Sequence, residues 1–210
     1  MMKRKGLLFA LLAVLAGTAG AAQHGIQTGG PIPDRRHFNG SVGIPEAVSK
    51  VEWVVRRVAG NVYVLAGAGG HVVVQSGEDG LLMVDTNFTV FYPQIRELIR
   101  QISDKPVRIV INTHSHFDHN QNNDEFAKQG ALIFTPPETR AALMRQTRPS
   151  PVAREGLPMV TSSSTMSFHF NGEEVAYVPL KLTETPGEVG VSFRGSDVFV
   201  FGDAYVQSYP

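Results

Sequence analysis

Thr113-His114-Ser115-His116-Phe117-Asp118-His119 follows directly on the apolar run Val107-Arg108-Ile109-Val110-Ile111-Asn112. Three of the chain's seven histidines fall within this stretch, interleaved with a carboxylate. Imidazole nitrogen and carboxylate oxygen are the donors that zinc and similar divalent ions take from proteins. On extended backbone, residues two apart project to the same side, so His114 and His116 can converge on one ion. Asp118 and His119 then lie on a turn and can reach a second position nearby.

Working outward, residues 91–103 carry Ile95, Leu98, Ile99 and Ile102 at the spacing of one helical face, ended by Asp104-Lys105-Pro106. Before them, Gly80-Leu81-Leu82-Met83-Val84-Asp85 is almost wholly apolar, the pattern of a buried strand. Strand, helix and strand make a βαβ crossover, which predicts parallel neighbours. The histidine loop then lies beyond the carboxyl end of a strand, where open α/β sheets place their sites. Three further β-branched and aromatic runs precede this unit: residues 51–55, 61–65 and 71–75. Each is bounded by Gly or Asn, as in a meander.

Downstream, Asn120-Gln121-Asn122-Asn123-Asp124 offers caps for a short helix stopped by Gly130. Residues 131–134 read as a strand, Pro136-Pro137-Glu138 opens a helix, and residues 148–158 form a proline-rich loop. Two hairpins follow, the first across Asn171-Gly172, a strong turn pair, and the second across residues 194–196, leading to Gly202-Asp203.

The His-x-His-x-Asp-His pattern after a buried strand resembles the signature of metallo-β-lactamase fold hydrolases. The resemblance implies an α/β, αββα sandwich, with residues 51–210 as its domain. It also implies that His114 and His116 ligate one metal ion and that Asp118 and His119 ligate a second. Gly202-Asp203 resembles the strand end that supplies a metal-bridging aspartate, so Asp203 joins the ligand set. Asp85 stands where members of the family brace the metal loops from behind the ligands; an ordinary strand-end turn is the other reading. His71, beside Gly69-Gly70, reads as a strand-edge residue, and His24, His37 and His169 are assigned no role.

Three departures stand beside the match. A third histidine for the first metal is expected in a segment like His-Thr-Pro-Gly, but here Thr183-Glu184-Thr185-Pro186-Gly187 places Glu184 there. A carboxylate can ligate zinc, so Glu184 either completes a His-His-Glu set or marks a lost ligand. A second carboxylate would favour harder ions, which keeps manganese and iron beside zinc as candidates. Family members also often carry glycines where Gln121 and Asn122 stand. Finally, the chain stops at Tyr209-Pro210, ahead of a helix, strands and a last histidine that the resemblance implies, so the second half of the sandwich is expected to be incomplete.

Composition narrows the rest. A hydrophobic content of 42% against 18% charged residues suits a packed globular domain rather than a disordered chain. Formal charge is zero, which gives no basic field for nucleic acid. The absence of cysteine excludes disulfides, thiolate metal sites and cysteine nucleophiles. Residues 1–21 read as a cleaved export signal, with Lys3, Arg4 and Lys5 before an apolar stretch and Ala19-Gly20-Ala21 as the cleavage site. Removing it leaves 16 basic against 19 acidic residues, a mildly acidic periplasmic or secreted protein without stable membrane association. Residues 22–50, rich in Gly and Pro, read as an extended arm.

The function implied is an exported hydrolase in which one or two divalent ions, zinc first, acidify water to a hydroxide that attacks a small ester, lactam or thioester. In that reading Asp118 is the catalytic residue, orienting the nucleophile and passing a proton to the leaving group. The alternative is a degenerate member of the fold that binds metal or ligand without turnover, and a third class is an iron-containing redox or sulfur-handling enzyme. No Gly-x-Ser-x-Gly elbow supports a serine nucleophile. Gly67-Ala68-Gly69-Gly70 leads into a strand, which excludes a phosphate-binding loop at a helix start.

Overall fold

The computed structural model describes residues 26–28, 51–147, 151–181 and 185–205. The expected export signal and most of the arm lie outside these residues, as does Glu184. The described residues form an eight-stranded sheet, whose strands lie side by side in chain order, and a separate four-stranded sheet.

The larger sheet begins with β1 (Gln27–Thr28), parallel to β2 (Val54–Ala59). An antiparallel meander continues through β3 (Val62–Ala66), β4 (Val72–Gly77) and β5 (Gly80–Val84). The β2 strand starts later than the run 51–55 suggested and takes in Arg56 and Arg57. Its register slips between Arg57 and Ala59, and the Arg57 side chain bonds the turn at Gly60 instead of entering the core. Helix α1 (Tyr92–Ile102) turns its Ile95 and Ile99 inward and returns the chain to β6 (Val107–Ile111), parallel to β5. Helix α2 (Asn123–Ala127), strand β7 (Leu132–Thr135) and helix α3 (Pro137–Arg145) follow. The two-residue β8 (Val160–Thr161) pairs parallel to β7, a strand that no sequence pattern announced.

The smaller sheet comprises β9 (Met166–Phe170), β10 (Glu173–Pro179), β11 (Val189–Phe193) and β12 (Val198–Val200), all antiparallel. Asn171 and Gly172 both take positive φ, +52° and +81°, as the tight β9–β10 turn requires.

Alternation along the strands of the larger sheet separates two cores. Leu65, Val72, Val74, Leu81, Met83 and Val110 face one side, where Ile95 and Ile99 of α1 and Phe126 of α2 cover them. Val64, Val73, Leu82, Val84 and Ile111 face the other, against Val175, Tyr177, Val191 and Phe193 of the smaller sheet. The layers are therefore helix, sheet, sheet. Full burial of a side chain such as Leu82 or Phe193 stabilises the fold by about 1.5–3 kcal/mol each. At the β4–β5 turn the sheets are tied by polar bonds. Asp79 and Asn171 exchange backbone-to-side-chain hydrogen bonds of 2.9 and 2.7 Å, and Glu173 accepts from Gln75 at 2.8 Å. The opposite end of β5 carries Asp85 and opens onto the histidine loop.

Candidate metal centre

Parallel pairing sets Val84 beside Ile111, so the residues just past β5 and β6 meet. Asp85, with φ +63°, turns its carboxylate across the gap. It accepts from the Thr113 backbone N–H at 2.7 Å, the Thr113 hydroxyl at 2.8 Å and His119 Nδ1 at 2.7 Å. The Thr113 hydroxyl spends its single proton on Asp85, so it accepts from His114 Nδ1–H at 3.0 Å. This chain of bonds sets both tautomers from behind: each imidazole is held by Nδ1 and presents Nε2 to the site. Further bonds fix the loop itself. The His119 carbonyl accepts from Thr86 N at 2.9 Å and from Asn112 Nδ2 at 3.0 Å.

The far ends of these rings, with His116 beside them, converge on one carboxylate. Asp203 Oδ2 lies 3.4 Å from His114 Nε2 and 3.6 Å from His116 Nδ1, while Oδ1 lies 3.3 Å from His119 Nε2. Asp118 Oδ2 is 3.6 Å from His119 Nε2. His114 and His119 are fully buried, yet among the described residues Nε2 of each makes no hydrogen bond. Gly202 brings Asp203 in: its φ is +58°, and a Cβ there would meet Thr113 Cβ and Oγ1 at 2.8 Å. Gly70 approaches from the other side, where a Cβ would stand 2.7 Å from His119 Nε2.

Electrostatics follow from this crowding. Burial alone opposes a charge on His119, but the carboxylates of Asp85, Asp203 and Asp118 overcome it and push the imidazole up to about 10. Burial would raise Asp203, yet the imidazoles of His114, His116 and His119 hold it well below the usual carboxylate range.

The donor set fits a divalent ion. Ligand atoms of His114, His116 and Asp203 all lie within 4.8 Å of one another, and donors about 2.0–2.2 Å from a tetrahedral ion stand roughly 3.3–3.6 Å apart. Two buried, unbonded Nε2 atoms aimed at a shared carboxylate are costly unless something occupies the space between them. The model of the metallo-beta-lactamase superfamily matches residues 55–206. The chain belongs to that superfamily.

Solved structures agree on the fold. A subclass B3 metallo-beta-lactamase of Bradyrhizobium japonicum, BJP-1, superimposes with a TM-score of 0.56 at 18% identity, over 65% of this chain and 55% of that one. The metallo-beta-lactamase IND-7 gives 0.59 at 18% identity, over 70% and 69%. A B3 metallo-beta-lactamase described as the first with an active-site glutamic acid gives 0.55 at 18% identity, over 66% and 56%. This superfamily member thus spans a little over half the length of BJP-1. Among curated proteins, none matches the chain.

The structure brings together His114, His116, Asp118, His119 and Asp203, and places Asp85 against His119. Glu184 lies outside the described residues. Sequence reasoning passed over Thr113, Asn112, Gly70 and Gly202, whose parts arise from contacts between distant loops. Only the Gly202-Asp203 adjacency carried a signal, that of a glycine freeing the backbone before a functional residue. Glu188 was passed over too: it is buried, one carboxylate oxygen accepts from Thr185 N and Oγ1 at 3.0 and 2.9 Å, and the other makes no hydrogen bond among the described residues.

Proposed function

We propose that this chain is an exported, metal-dependent hydrolase of small esters, lactams or thioesters. The observation that carries the proposal is the convergence of His114, His116 and His119 on the two oxygens of Asp203. His114, His116 and one oxygen of Asp203 would hold one ion, with Glu184 as a further ligand. His119, Asp118 and the other oxygen would hold a second. An active-site glutamic acid in a B3 metallo-beta-lactamase supports a carboxylate within such a ligand set. Zinc suits the mixture of imidazole and carboxylate, and manganese or iron would suit a set in which carboxylates weigh more.

Bound there, divalent ions supply Lewis acidity toward a substrate oxygen and lower the pKa of water to about 7. The chain's own residues do the rest. Asp85 and Thr113 hold the His119 and His114 rings so that their Nε2 lone pairs stay directed into the site. Asp118 is partly exposed and faces the same space, so its carboxylate orients the attacking water and carries a proton to the leaving group. Export rests on residues 1–21, and a mature amino terminus at residue 22, read by terminal sequencing, is its check.

The test of the reaction is metal content and turnover of purified protein on a panel of lactams, thioesters, lactones and phosphodiesters. Wild type is expected to carry one or two divalent ions and to hydrolyse a member of the panel. His116→Ala should lose metal, and Asp118→Ala should lose about 10²–10⁴-fold in kcat. Unchanged metal content and unchanged turnover in both variants would overturn the proposal.

A further inference from the structure

Two buried asparagines tie three separate loops around His119. Asn122 is fully buried, and its side-chain NH2 donates to the carbonyls of Thr86 at 2.6 Å and Phe88 at 2.9 Å, with Asn87 O at 3.4 Å. Asn87 is also fully buried. Its NH2 donates to Ala68 O at 2.9 Å and Gly70 O at 2.5 Å, and its own carbonyl oxygen accepts from Phe88 N at 2.6 Å. The bonds run from the histidine loop to the segment that bears Asp85, and from there to the glycine loop against His119 Nε2. Asp85 and Asn87 sit at φ +63° and +60°, conformations that cost a non-glycine residue energy and need outside support. Asn122 supplies that support while its own Oδ1 is buried with no partner among the described residues.

We infer that Asn122 and Asn87 are positioning residues that set the His119 side of the metal site. They fix the Asp85 carboxylate at Nδ1 of the ring and the Gly70 backbone at Nε2. The inference rests on the metal-dependent reading above. It deepens that reading by naming the residues that hold the loops around His119. The pairing has a chemical signature. The acceptors of both NH2 groups are backbone carbonyls, those of Ala68, Gly70, Thr86, Asn87 and Phe88, so a carboxylate of the same shape would replace attraction with repulsion.

The experiment is a stepwise titration of the metal-free full-length chain with Zn(II), and with Co(II) followed by its absorption spectrum. It compares wild type with Asn122→Asp, Asn122→Gly and Asn87→Gly. Asn87→Gly keeps a backbone at home at φ +60°, so it stays testable if the aspartate variant does not fold. The expected result is a second binding step weakened about 10- to 100-fold, a first step within about threefold of wild type, and an altered Co(II) spectrum for the second ion. A role in stability alone would lower the melting temperature of the metal-free protein and leave the ratio of the two steps where it was. Folded Asn122→Gly and Asn87→Gly variants with the wild-type ratio would overturn the inference and leave the metal reading intact. A wild type that binds no divalent ion would overturn both.

Discussion

Replacing Gly202 by alanine attacks the site through a residue that ligates nothing. Gly202 has φ +58°, which costs an L-residue about 1–2 kcal/mol. The new Cβ would also stand 2.8 Å from Thr113 Cβ and Oγ1, well inside contact distance. Thr113 cannot yield cheaply, because it is buried and gives two hydrogen bonds of 2.7 and 2.8 Å to Asp85. Overpacking of this kind costs about 1–3 kcal/mol, so the substitution carries about 2–5 kcal/mol in total. That strain has two outlets. If the 202–204 turn withdraws, Asp203 leaves the three imidazoles and metal affinity falls about 30- to 4,000-fold, at 1.4 kcal/mol for each tenfold. If the turn stays in place, the loss appears as a melting temperature lower by about 4–20 °C. Competition with a chromophoric chelator reads the first, and thermal unfolding of the metal-free protein reads the second. Gly202→Asn tolerates the positive φ better but keeps the clash, so it should retain most of the effect. A Gly202→Ala protein with wild-type affinity and wild-type melting would refute the placement of Asp203 by this close approach.

Three more perturbations probe the surroundings. Asp85→Asn keeps the shape but sets an NH2 against Thr113 or His119 donors, so metal affinity should fall about 10- to 100-fold in the same competition assay; unchanged affinity would deny Asp85 its part. Gly70→Ala places a methyl 2.7 Å from His119 Nε2 and should lower zinc content by one ion per chain, counted by atomic emission, while the His114 and His116 side still binds. Glu173 bears on pH: burial acts to raise its pKa, but hydrogen bonds from Ser196 and Gln75 hold it below the ordinary value. A lowered carboxylate stabilises the fold above its unfolded pKa, about 4.3, and that contribution is lost as pH falls through the folded value. Denaturant midpoints of wild type should therefore drop more steeply than those of Glu173→Gln below about pH 4, and parallel curves would contradict this.

Legibility in the sequence followed the range of the interactions. The β5–α1–β6 crossover, the Asn171-Gly172 turn and the histidine cluster are each written in a few consecutive residues, and the structure places them accordingly. The β2 strand was misjudged because its limits come from pairing with β3, which carries Arg56 and Arg57 into the ladder despite their polarity. The β8 strand is two residues long and exists only by pairing with β7, so no periodicity could mark it. At the site the same division holds. Asp118 and His119 are adjacent in sequence, but the bond that orients His119 comes from Asp85, 34 residues away.

Three residues with φ near +60° explain why the arrangement was less legible than its ligands. Asp85, Asn87 and Gly202, at +63°, +60° and +58°, each lie shortly beyond the carboxyl end of a strand, and each reverses the chain so that it meets the histidine loop. Glycine announces such a position by its type, and Gly202 could be suspected for that reason. Asparagine and aspartate adopt it less often and equally suit ordinary turns, so Asp85 and Asn87 carry two readings until their partners are known. Their partners are the carbonyls of Ala68 and Gly70 for one, and Thr113 and His119 for the other. The ligand identities of this centre are therefore a local property of the chain, whereas the orientation of its imidazoles is a property of how three strand ends meet. A substitution among those strand ends should move metal affinity more than sequence distance from the histidines suggests.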